Sequence, residues 1–204
     1  MSTPRERMVA SAALLIRERG AHATAISDVL EHSGAPRGSA YHYFPGGRTQ
    51  LLSEAVDLAG EYIAEMIDTK PSAVDALDVL VASYRKQLVR SDFRAGCPVV
   101  AVAVEAGDPE SPASSQKLIE HSAAVFRRWI DLIADKLVAV GVARTRADEL
   151  AMLMTTSLEG AIIIARSTRD ITPIDVVHRQ LRTLIEEPDN DRRMVAHRMH
   201  LVRM

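Results

Sequence analysis

With one cysteine, Cys97, the 204-residue chain can neither close an internal disulfide nor build a thiolate cage for zinc, which fits a reducing compartment. No segment approaches the roughly 20 consecutive apolar residues of a membrane-spanning helix, and no hydrophobic signal core precedes Arg17-Glu18-Arg19. The expectation is therefore a cytoplasmic protein with no membrane partner. Seven histidines are scattered without a His-Glu-x-x-His pair, and neither a Gly-x-Ser-x-Gly elbow nor a phosphate-cradling Gly-rich loop occurs. These absences argue against an enzyme, a bound metal and a cofactor. A net charge of −2 excludes a uniformly basic surface. Aromatic residues make up only 4%, so the crowding of rings in Tyr41-His42-Tyr43-Phe44 stands out.

What is present is an ordinary globular balance, 47% apolar and 25% charged, with the charge unevenly placed. The first 50 residues hold six arginines against four acids, which favours an anion-binding amino-terminal part. Met8, Val9, Ala12, Ala13, Leu15 and Ile16 recur at helical spacing between Arg5 and Arg19, with Gly20 as the stop. A short helix follows from Asp28 to His32, broken by Ser33-Gly34. A third opens at Ala35-Pro36 and runs to about Tyr43, since proline suits a first turn. One long helix is expected from Arg48 to Lys70-Pro71 and another from Val74 to Val89. The segment "GCPVVAVAVE" alternates like a strand but stands among helical patterns, and is read as a helix begun at Pro98. Ile119, Ala123, Phe126, Ile130, Ile133, Leu137 and Val140 mark a further long helix. "RADELAMLMTTSLEGAIIIARS" is apolar nearly all round, and Ile174, Val177, Leu181 and Leu184 form a narrow stripe on the last helix. Two such helices ask for a partner, because a monomer would expose a sizeable apolar patch. Residues 188–204 read as a loose tail, with a membrane- or nucleic-acid-touching arm as the alternative.

Two short helices joined by a tight Gly-containing turn form the helix-turn-helix pattern, whose later helix lies in the DNA major groove. A third helix of about eight residues is ~12 Å long, matching the ~12 Å groove width. Arg37 suits a guanine edge, Ser39 can donate to or accept from a base, and Ala40 suits a thymine methyl, while Tyr41, His42 and Tyr43 offer donors to phosphates. Gly38 permits close backbone approach. Core burial is the competing reading for Tyr41 and the preferred one for Phe44.

Thr24 to Leu52, "TAISDVLEHSGAPRGSAYHYFPGGRTQLL", resembles the DNA-binding domain of TetR-family transcriptional regulators. The shared features are Thr24 before a short helix, the Ser33-Gly34 turn, the small residues Gly38-Ser39-Ala40, Tyr41 to Phe44, and a basic residue, Arg48, before Leu51-Leu52. Gly46-Gly47 lengthens the usual turn by a residue, and arginine replaces the commoner lysine. "FPGG", "GCPVVAVAVE" and "SLEGAIIIARS" are similar to the LmrA/YxaF-like subgroup. The resemblance implies an all-α homodimer of about nine helices. Residues 1–50 would form the DNA-binding domain, with Thr24, Ser27 and Arg48 joining the contacts to double-stranded DNA, and residues 51–187 the ligand-binding and dimerisation domain.

The dimer interface is expected at Leu158, Ile162, Ile174, Val177, Leu181 and Leu184. A pocket for a small apolar or aromatic effector is expected at Cys97, Val100, Val104, Phe126, Trp129, Met152, Thr156 and Glu159, with ordinary core as the competing reading for each. Glu159 in an apolar helix needs a partner, either an ion pair with Arg166, the first expectation, or a ligand cation. Gly160 would permit close helix approach across the dimer. The function so implied is a ligand-responsive repressor on a palindromic operator. The alternative is an architectural DNA-binding protein or an activator without an effector.

Overall fold

A computed structural model describes residues 2–105 and 112–187, with the side chains of 112–115 left aside; the tail expected at 188–204 lies outside the described residues. Among the described residues the chain forms nine helices and no strand: α1 (Pro4–Arg19), α2 (Ile26–Ser33), α3 (Ser39–Tyr43), α4 (Gly47–Asp68), α5 (Ala73–Arg90), α6 (Pro98–Glu105), α7 (Pro112–Ala139), α8 (Arg144–Thr168) and α9 (Thr172–Glu186). The all-α expectation holds, as does the reading of Pro98–Glu105 as helix.

Local signals set the helix ends. Thr3 accepts from the Glu6 N–H at 3.2 Å while the Glu6 carboxylate accepts from the Thr3 N–H at 2.9 Å, a capping box completed by Pro4 in the first turn. Gly34 closes α2 at φ 64°, a left-handed conformation that favours glycine. Gly47, also at φ 64°, lets the chain turn from Phe44 directly into α4. The Ser72 hydroxyl accepts from the Asp75 N–H at 3.1 Å to start α5.

Met8, Ala12 and Ile16 of α1 meet Val29, Ala40, Phe44, Leu51 and Leu52 in a single buried centre that fixes α2 and α3. The α4 helix packs along α1 on one side and α7 on the other. Its approach to α7 needs Gly60: a Cβ there would lie 2.6 Å from Val125 Cγ2, and the Gly60 carbonyl accepts from Trp129 Nε1 at 2.9 Å. The α8 helix is long and apolar enough, by length and composition, to cross a membrane. Its buried residues, among them Leu150, Met154, Leu158 and Ile162, instead fill the layer against α7 and α9. Asp78 of α5 bonds His178 and Arg182 of α9 at 2.7 and 2.5 Å, closing the bundle.

Candidate functional site

The α3 helix is shorter than expected. Its five residues begin after Gly38, because the Ser39 N–H and hydroxyl both donate to the Pro36 carbonyl, at 2.9 and 2.7 Å, and close a turn there instead of a helical first turn. Arg37 therefore sits in the turn ahead of α3, exposed and without an intramolecular hydrogen bond among the described residues. Ala40 and Phe44, one turn apart and each 1% exposed, pin the helix to the core and direct Tyr41 and His42 outward. Tyr41 is 73% exposed, so it is not core. Tyr43 is half-buried and meets the His42 ring edge-on at 5.1 Å. A Cβ on Gly38, at an ordinary φ of −81°, would meet nothing within 4 Å, so nothing inside the protein requires glycine there. Ser27 is exposed on α2.

Four residues expected to face DNA are placed otherwise. Thr24 is fully buried and donates its hydroxyl to the Gly20 carbonyl at 2.7 Å. Ala40 is a core residue, out of reach of a thymine methyl. The Ser39 hydroxyl proton is taken by Pro36. Arg48 donates Nε to the Thr24 carbonyl at 2.9 Å and Nη2 to the carbonyls of Ala21 and His22, fastening the start of α4 to the α1–α2 loop. A guanidinium so engaged is a structural clamp on that loop. Arg5, which no local pattern singles out, forks onto Glu54 at 2.6 and 2.7 Å and lies over the Phe44 ring at 5.4 Å.

A largely apolar cavity of about 350 Å³ lies among α1, α4, α5, α6 and α7. Leu14, Leu58, Ala59, Ile63, Val99 and Trp129 line it, with Arg17, Tyr62, Ser83, Tyr84, Gln87 and Cys97 as polar groups. Burial pushes both the Tyr84 phenol and the Cys97 thiol well above their ordinary pKa. Cys97 lies beside both Tyr84 and Glu159, whose nearness also bears on its pKa. Beyond Cys97 is a second cavity, of about 340 Å³, lined by Val100, Val104, Glu159, Ile162 and Arg166. Glu159 is raised from 4.5 to about 7, mainly by burial, and its Oε2 is buried without a hydrogen-bond partner. The expected ion pair is not formed: Arg166 Nη2 donates to the Glu18 carbonyl at 2.6 Å instead.

The structure thus brings Cys97, Val100, Trp129 and Glu159 to the cavities and leaves Val104 at a rim, 75% exposed. Phe126 packs edge-on against Trp129, at 5.5 Å, as core. Met152 and Thr156 lie on the outer side of α8, where the threonine hydroxyl donates to the Met152 carbonyl at 2.9 Å. Arg17, Tyr62 and Tyr84 were not foreseen, because the faces of α1, α4 and α5 that enclose the cavity meet only in the folded bundle.

Residues 9–55 match the description of bacterial regulatory proteins of the tetR family, and residues 73–180 that of the C-terminal domain of LmrA/YxaF-like transcriptional regulators. An uncharacterized HTH-type transcriptional regulator of Mycobacterium tuberculosis is 62% identical over 194 residues, covering 94% of this chain and 100% of its own length. The chain belongs to the TetR family, in its LmrA/YxaF-like branch. The HTH-type transcriptional regulator LmrA of Bacillus subtilis is 29% identical, over 83% of this chain and 90% of its own. The fold matches that of the TetR-family regulator CifR, solved as a cysteine mutant with 26-bp double-strand operator DNA, at a TM-score of 0.66 and 24% identity over 89% of this chain and 97% of that one. The protein is thus a DNA-binding transcriptional regulator and not an enzyme.

In this TetR-family regulator the apolar stripes of α8 and α9 divide differently from the expected interface. Leu158, Ile162, Ile174 and Leu181 are at most 5% exposed and fill the protomer's own core, while Val177 is half-buried. Of the expected set, Leu184 is exposed. The uncovered apolar surface is made by Met152, Leu153, Ile163 and Ile164 of α8 with Val176 and Leu184 of α9. Gly160 borders open space, with nothing within 4 Å of a Cβ built there.

Proposed function

We propose that the protein is a homodimeric repressor that binds a palindromic operator and is released by a small-molecule effector. The observation that carries the effector is the apolar cavity of about 350 Å³, walled on one side by α1, the helix on which α2 is packed. Exposed Arg37, Tyr41 and His42 around α3 supply a guanidinium and rings with polar edges to a major groove, and Gly38 leaves room for backbone approach. Two copies of α3 would enter successive grooves ~34–36 Å apart. The uncovered apolar residues of α8 and α9 support pairing of two copies, which would form a four-helix interface. The carboxyl-terminal unit would run from about residue 51, sharing α4 with the amino-terminal one.

Effector binding would reach the DNA-binding part through three links made by residues that line the adjoining second cavity. The Gly96 N–H donates to the Arg17 carbonyl at 2.8 Å, Arg166 to the Glu18 carbonyl, and the His22 N–H to the Glu105 carboxylate. An effector preferring the state in which the two α3 helices are wrongly spaced, by about 1–3 kcal/mol, would suffice for release. The test is a mobility shift with DNA upstream of the protein's own gene, titrated with salt and with a library of apolar compounds. Salt-sensitive, sequence-selective binding relieved by a compound is expected; absence of selective binding would sink the reading. Selective binding relieved by nothing would favour a regulator without an effector.

A further inference from the structure

The apolar cavity adjoins a polar one. The two share Arg17, Tyr62, Ser83 and Gln87, and the outer cavity, about 590 Å³, adds Lys86, Arg90 and Arg94 to its wall. Among its lining residues Glu18 is the single acid, against four cations. Across the shared wall the lining is therefore graded, from apolar in one cavity to positive in the other. Arg17 stands at the junction. Its Nε is buried and has no hydrogen-bond partner, and burial holds the guanidinium below its usual pKa. Glu18 lies near enough to favour the charged form but forms no salt bridge with Arg17 among the described residues, so part of the cost of taking the guanidinium out of water is left for an arriving anion to offset.

The other ionisable group with an unpartnered buried atom, Glu159, would suit a cation or a hydrogen-bond donor, but it lies beyond Cys97 in a cavity that includes Ile163 of the uncovered α8 face. The cavity at Arg17 takes no residue from α8 or α9, so pairing of two copies there would leave it open.

We infer that the effector is an amphipathic anion, with an apolar body in the inner cavity and a carboxylate or similar acidic head at Arg17, facing the basic outer cavity. This rests on the reading of the inner cavity as the effector site. It also supplies a direct pull on the DNA-binding part, because Arg17 lies on α1, two residues before Arg19, which pairs with Asp28 of α2 at 3.5 Å.

Trp129 is the only tryptophan and lines the inner cavity, so its fluorescence reports occupancy there. The full-length protein is titrated with decanoate, decan-1-ol and decylammonium, each below its aggregation concentration. Decanoate should bind at least tenfold more tightly than the other two and should alone weaken as salt rises. Arg17→Met should bring decanoate to the Kd of decanol while leaving decanol unchanged. The double variant Lys86→Ala/Arg90→Ala, both exposed, should lower the decanoate preference several-fold and decides the matter if Arg17→Met does not fold. Equal affinity for carboxylate and alcohol, tighter binding of the ammonium, or a preference unmoved by these variants overturns the anion while leaving the effector cavity standing. No Trp129 response to any of the three overturns both.

Discussion

The carboxylate of Glu105, at the end of α6, accepts the His22 backbone N–H at 2.6 Å and stands over Gly20, where a Cβ would lie 2.0 Å from Oε1. Pro98 and Val99, at the other end of the same helix, line the apolar cavity. One short helix therefore touches both the cavity and the loop that Arg48 fastens to α4. Glu105→Ala should leave operator affinity near its original value and shrink the change caused by a relieving compound, measured by mobility shift with and without it. An unchanged response would remove α6 from the coupling.

Arg37 and Tyr43 differ in exposure and should differ in effect. Arg37→Ala should relax selectivity by about 1–3 kcal/mol at one base position, whereas Tyr43→Phe should weaken all sequences alike. Binding to a panel of singly substituted operators separates the two, and matching profiles would show that this sorting of contacts is mistaken.

Arg48 tests clamp against phosphate ligand. Losing its donors to the carbonyls of Ala21, His22 and Thr24 should lower stability by about 1–3 kcal/mol in Arg48→Ala. The slope of log affinity against log salt should stay as it was, since a lost phosphate contact would reduce it by about one. Denaturant melts and salt titrations read the two quantities separately.

Neighbouring residues on α8 should behave oppositely. Ile164→Glu, at 54% exposure, should yield monomers in sedimentation with the thermal midpoint of the protomer nearly kept. Leu158→Ala, at 5%, should cost about 2–5 kcal/mol as a core cavity. If Ile164→Glu sediments as the parent does, the pairing face lies elsewhere.

Glu159 predicts a pH dependence. Between its ordinary value of 4.5 and its folded value of about 7, the folded protein keeps a proton that the unfolded chain has released. Stability should therefore fall as pH rises through that window, with the full cost, about 3 kcal/mol at about 1.4 kcal/mol per unit, present above it. Glu159→Gln should be the more stable form at pH 8 and lose that advantage at pH 4. A parallel pH profile for the two proteins would rule out this titration.

The order and nature of the helices were legible along the chain because their signals are local. Apolar spacing, Thr3 with Glu6, Gly20, Gly34 and Pro98 act within a turn or two of themselves. The helix-turn-helix, and with it the family, could be read from residues 24–52 for the same reason. Tertiary structure decided what each side chain faces. Thr24, Ala40 and Arg48 have the composition of a DNA-contacting set, yet the packing of α1 against α4 turns two inward and ties the third to a loop. Leu158 and Ile164 are both apolar residues of one helix, and only the positions of α7 and α9 make one core and leave the other bare. Arg17 is a basic residue of the last turn of α1, and only the placing of α4 and α5 beside it gives it a cavity to face. Periodicity records that a helix has faces; which neighbour covers a face depends on residues far along the chain, and so does the chemistry of the cavity between them.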